Sequence, residues 1–175
     1  MLKMKINAQK GVGMIEVLVA LILLAIGVLG FTALQLRAVE ATDEAMLKIE
    51  AMNIARDLAE RIRANRDGFS TYETNLTATT PSSTATSCVQ TTTTIPCTTA
   101  AEMANYDTAQ IVSKTNAFGM TVSLPNCQVS GAQNRRCVYI AWSDTKAINS
   151  TSDANACTNG GAYLPQSKCI VMELY

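Results

Sequence analysis

The stretch Lys10–Leu34 reads KGVGMIEVLVALILLAIGVLGFTAL. From Val12 to Leu34 it runs 23 residues with Glu16 as its one charge. As a helix it would be ~34 Å long, enough to cross a hydrocarbon core of ~30 Å. A short basic leader carrying Lys3, Lys5 and Lys10 precedes it. Two features are unusual for a plain anchor. Glu16 sits near the start of the apolar run, where an ionised acid in lipid costs a few kcal/mol. The leader also abuts the run through Gly11, without the small-residue cleavage pattern of a secretory signal.

The basic leader, the glycine and the placement of Glu16 resemble the class III leader of type IV prepilins and type II secretion pseudopilins. The resemblance implies cleavage after Gly11 by a prepilin peptidase, N-methylation of Val12 and an assembly role for Glu16, fifth in the mature chain. The residues after the glycine, Val12 and Gly13, depart from the commonest pattern of an aromatic followed by threonine. A physical reason supports the role of Glu16. A cleaved helix begins with a cationic amine and unpaired N–H groups, and both favour nearby negative charge. Glu16 is unfavourable alone in lipid and is paired beside the amine of a neighbouring helix. The alternative is a carboxylate that snorkels to the interface of an ordinary anchor. Gly27 and Gly30 interrupt the span. They are read either as points where the helix unwinds in a fibre or as small-residue contacts between helices.

Cleavage would leave 164 residues, one membrane segment and one modest domain. The chain holds 14 basic and 14 acidic residues. Loss of Lys3, Lys5 and Lys10 lowers the basic count to 11, a balance of about −3, which argues against general nucleic-acid binding. Six cysteines, Cys88, Cys97, Cys127, Cys137, Cys157 and Cys169, all follow the apolar span. Their even number points to an oxidising compartment and a disulfide framework. Fifteen pairings are possible; the sequential one, Cys88–Cys97, Cys127–Cys137 and Cys157–Cys169, closes three short loops and is the expectation. No pair has C-x-x-C spacing and there is no histidine. The reading is therefore no metal site, no cofactor and no Ser-His or Cys-His nucleophile: not an enzyme. Lysines ahead of the span place the leader in the cytoplasm and the remainder outside it.

Four segments follow: a leader over 1–11, a transmembrane and assembly helix over 12–34, an amphipathic continuation over 35–68, and a disulfide-rich head over 69–175. Leu47, Ala51, Ile54, Ala55, Leu58, Ala59 and Ile62 fall on one arc at about 100° per residue. Asp43, Glu50, Arg56, Asp57, Glu60, Arg61 and Arg63 fall mostly opposite, and the arginines, interleaved with acids, read as a solvated face. One helix from Val12 to Arg66 would span ~80 Å. Residues 65–68 end it. Ser70–Thr99, rich in Thr, Ser and Ala, reads as a linker holding a pinned loop. Thr99 and Glu102 resemble a capping box, so Ala100 to about Lys114 is expected as a short helix bearing Met103, Tyr106 and Ile111. Phe118–Leu124, Cys137–Trp142 and Cys169–Tyr175 read as strands. The segments between them read as turns. An antiparallel sheet of three or four strands with one face on the amphipathic helix is the economical packing, with Tyr139, Trp142 and Val171 in its core or on its face.

A second, looser resemblance is carried by VLVALILLAIGVLGFTALQL, by ARDLAERIRANRDG at the helix end, by ANYDTAQ and by the strand around Trp142. These are similar to minor pilins of the PilV type, the type IV pilus modification proteins. The resemblance implies an α+β, type IV pilin-like fold. It also implies a role in a tip or priming complex that supports pilus biogenesis, twitching and adhesion. The implied partners are other minor pilins, the major pilin, the prepilin peptidase and an inner-membrane assembly platform. The implied location is the inner membrane, single-pass with a periplasmic head, and then the pilus. One rival is a type II secretion pseudopilin resembling GspI, against which six cysteines weigh. The other is a membrane-anchored periplasmic enzyme or binding domain, which lacks a catalytic constellation here.

Overall fold

The computed structural model describes Gly11, 13–89, 97–128 and 135–174. The leader 1–10, Val12 and Tyr175, on which expectations above fall, lie outside the described residues. Two compact units divide between Glu44 and Ala45.

Helix α1 covers Met14–Ala64. Its part in the first unit has its large apolar side chains exposed, from Met14 through Val39. Its part in the second unit buries Ala51, Ile54, Ala55, Leu58, Ala59 and Ile62, with Leu47 packed at the edge. This is the arc that the period of the sequence marks out. Each large side chain on it contributes ~1.5–3 kcal/mol by leaving water.

A 3-10 turn over Arg66–Gly68 ends the run, and a second helix, α2, follows at Phe69–Thr77. Ser70–Thr99 was expected as a linker, and the structure corrects this for its first residues. Ser and Thr are indifferent helix formers; burial of Tyr72 and Leu76 against the core overrides that preference. Helix α3 spans Ala100–Ala117, three residues longer than expected. The capping box is present: Thr99 Oγ1 accepts from the Glu102 N–H at 3.2 Å, and Glu102 Oε2 accepts from the Thr99 N–H at 3.0 Å. Backbone N–H groups of Thr98 and Thr99 hold the Glu102 carboxyl below its usual range. Of the three side chains expected to mark the helix, Ile111 is buried and Met103 is exposed.

Strands β1 (Met120–Ser123), β2 (Arg136–Trp142) and β6 (Cys169–Leu174) form an antiparallel sheet with β2 central. Val138, Ile140 and Trp142 face the helices. Cys137, Tyr139 and Ala141 join a second cluster with Ala147, Cys157 and Cys169. Cover on both faces explains why CVYIAW is continuously apolar rather than alternating. That second cover is a correction. The segment expected to be only turns carries β3 (Lys146–Asn149), β4 (Ala156–Asn159) and β5 (Ala162–Tyr163), with β3 parallel to β4. The single antiparallel sheet is thus joined by a second, mixed one. Asn and Ser disguise these strands, but side-chain bonds hold them: Tyr139 Oη pairs with Thr158 Oγ1 at 3.1 Å, and Thr158 Oγ1 donates to Asn149 Oδ1 at 2.9 Å. Gly160, with φ of +62°, opens the two-residue turn between β4 and β5.

The cysteines pair as Cys88–Cys97, Cys127–Cys137 and Cys157–Cys169. The last ties β4 to β6, and Cys127–Cys137 ties the segment after β1 to β2.

Candidate functional site

In the first unit, Glu16 lies in the first turn of α1, where its N–H donates to Gly13 O at 2.9 Å. Among the described residues none donates a hydrogen bond to its carboxylate. None of the most apolar 18-residue window of α1 is buried, and α1 is long and apolar enough to cross a membrane. Gly27 and Gly30 sit within unbroken helix, and an added Cβ at either would meet nothing within 4 Å. Packing inside the chain therefore does not require glycine at either position. The exposed apolar side chains of this unit fit contact with lipid or with other helices.

The second unit contains a polar junction beneath its helices. Arg61 reaches back to Asp57 at 2.8 Å and across to Asp107 on α3 at 2.7 Å. Asp107, 6% exposed, also accepts from the Tyr72 hydroxyl of α2. Asn65 donates to the Ala100 carbonyl at 2.8 Å. Burial disfavours the Arg61 charge, but its bonds to Asp57 and Asp107 more than offset this and hold it above its ordinary range. Burial, then the bond to Asp107, raises the Tyr72 hydroxyl well above the usual tyrosine range. Gly68 completes the junction. Its added Cβ would stand 2.7 Å from Ala100 O and 3.1 Å from Ala104 Cβ.

This corrects the reading of Arg61 as part of a solvated face. The stretches ARDLAERIRANRDG and ANYDTAQ are the two sides of one contact. A signal for it was present. Ala104, Asp107, Thr108, Ile111, Val112 and Thr115 share one buried stripe of α3, and an acid within such a stripe requires a charged or hydrogen-bonding partner. Among the described residues, no group of three or more His, Cys, Asp or Glu is placed to hold a metal.

An exposed apolar helix with one acid in its first turn, and a disulfide-pinned α+β unit on its later turns, define a type IV pilin-like fold. Comparison with known families agrees. Residues 6–32 match the prokaryotic N-terminal methylation motif. Residues 33–109 match the family described as type IV pilin Tt1218. The two matches adjoin, and together they support a type IV pilin. The second match takes in both sides of the polar junction, whereas the six strands lie beyond it. No curated protein and no solved structure matches the chain. A pilin is a structural protein, and an N-methylation motif ahead of an apolar helix fits membrane anchoring and pilus assembly.

Proposed function

We propose that the chain is a minor pilin of the PilV type. It is cut after Gly11, methylated on Val12 and held as a single-pass inner-membrane protein with a periplasmic head. It then enters the type IV pilus or primes its assembly, and so supports twitching and adhesion. The observation that carries this is the exposed apolar stretch of α1 with a lone carboxylate in its first turn. Such a helix is poorly suited to solitary life in a bilayer and well suited to a bundle. There, Glu16 pairs with the amine of an adjoining helix. Gly27 and Gly30 are the points where the helix unwinds as it packs. Its partners are other minor pilins, the major pilin, the prepilin peptidase and the assembly platform.

The test is the intact mass and N-terminus of protein recovered from sheared surface filaments. The expected species lacks residues 1–11, begins with methylated Val12 and contains all cysteines oxidised. Gly11→Ala keeps the leader. Glu16→Ala is processed and membrane-resident but lost from filaments. Full-length wild-type chain in filaments, or Glu16→Ala present at wild-type level, overturns the reading.

A further inference from the structure

The hydroxyl-rich stretch that follows α2 has no part in the function proposed above. Of residues 77–87, eight are Ser or Thr, and the others are Ala78, Pro81 and Ala85. All eight are exposed, and residues 78–89 form neither helix nor strand. Both ends are tied, one to α2 and the other by the Cys88–Cys97 bridge, so the stretch is not a spacer between bodies. Its composition is not that of a flexible tether either. Freely moving linkers are rich in Gly, yet residues 74–101 contain no glycine and no charged residue. Threonine is stiff at χ1, and Pro81 disfavours helical backbone at Thr80.

The hydroxyls fall into two sets. Thr77 Oγ1 donates to Glu73 O at 2.7 Å, Ser82 Oγ donates to Thr84 O at 3.0 Å and lies 3.3 Å from Thr84 Oγ1, and Ser87 Oγ accepts from the Val89 N–H at 3.2 Å. Thr79, Thr80, Ser83 and Thr86 make no side-chain hydrogen bond among the described residues. These four exposed hydroxyls contribute no bond to the fold. An uncharged, exposed stretch owes its hydration to its hydroxyls or to what is attached to them. Ser/Thr-rich chain broken by Pro is the composition of O-glycosylated stalks. We propose that Thr79, Thr80, Ser83 and Thr86 are acceptors for O-linked sugars. The donor is a sugar carried on a diphosphate. The side-chain oxygen bonds to the anomeric carbon as the bond from that carbon to the diphosphate breaks. The diphosphate leaves with the electron pair, and the hydroxyl proton passes to a base of the transferase. The proposal rests on the filament reading for where the modified chain is found.

The test uses the full chain from its native cells, recovered separately from membranes and from sheared filaments. Its intact mass is expected to exceed that of the methylated, oxidised chain by whole sugar residues. Electron-transfer fragmentation should place them on one or more of Thr79, Thr80, Ser83 and Thr86. Replacing these four together by alanine should remove the increments and leave the thermal midpoint unchanged. An unmodified stretch in a chain that is processed and oxidised, phosphate increments in place of sugar, or sugar only at other positions overturns the assignment and leaves the filament reading standing. A retained leader with reduced cysteines in both fractions overturns both.

Discussion

Gly68→Ala tests whether the polar junction is as tightly closed as its geometry implies. The backbone at Gly68, with φ of −83° and ψ of 1°, is open to alanine. By itself the change would therefore stabilise the chain by ~0.4–1 kcal/mol, through lost freedom in the unfolded state. Against this, the new methyl would lie 2.6 Å from Asn65 Nδ2 and 2.7 Å from Ala100 O. The Asn65 amide is the end of a side chain and can turn away, at the cost of its hydrogen bond to Ala100 O, about 1 kcal/mol. The carbonyl belongs to the first residue of α3 and cannot move without that helix. Overpacking of this kind costs ~1–3 kcal/mol. The destabilising effects win, by roughly 1.5–3 kcal/mol net. For a unit of this size that lowers the thermal midpoint by ~5–10 °C. The fluorescence of Trp142, the single tryptophan and 3% exposed, reports unfolding of this unit without interference from the apolar helix. Gly161→Ala is the control, because its methyl would make only an ordinary contact, 3.6 Å from Gln128 O. It should stay within about 0.5 kcal/mol of wild type. A Gly68→Ala chain as stable as the control would refute the reasoning.

Two further outcomes follow from the same region and from the bridges. Folded Tyr72 holds its proton more tightly than the unfolded side chain, whose ordinary value is 10.0. The unfolded state therefore releases that proton first. The stability tied to it is fully present below the ordinary value and declines as pH rises above it. Alkaline unfolding followed by denaturant titration should accordingly be shallower in Tyr72→Phe than in wild type; parallel curves would exclude this group as the cause. Replacing Cys157 and Cys169 together by alanine opens a closure of 12 residues. This should lower unfolding free energy by ~3 kcal/mol in the loop-entropy picture, measured by urea titration of the oxidised protein. A change below about 1 kcal/mol would show that the strands β4 and β6 are held without the bridge.

The parts legible in the sequence are those where one periodic signal dominates. The inner arc of α1 is a 3.6-residue pattern of Ala, Ile and Leu. β2 and β6 are runs of β-branched and aromatic residues, and α3 announces its start with Thr99 and Glu102. What escaped has competing signals. In α2, FSTYETNLT places only three large apolar residues among hydroxyls, a carboxylate and an amide, and tertiary burial of Tyr72 and Leu76 decides the outcome. In β3 to β5, Asn, Ser and Gly favour turns, and the parallel partner of β3 lies across a loop whose pairing no local pattern encodes. The Arg61–Asp107 contact joins residues 46 apart. Neither end shows its partner locally, although Asp107 on an apolar stripe demanded one. At Glu16 the legibility is chemical: a charge in an apolar span is a local anomaly, visible without any knowledge of the fold.

The three bridges close only over separations of 9, 10 and 12 residues. On the filament reading proposed above, a head delivered across a bilayer from its N-terminal side can thus be oxidised piece by piece, each thiol meeting its mate within moments of emerging. None of the three clasps welds an early segment of the head to a late one. Mispairing has little opportunity on such a schedule, because the correct mate is always the next one along.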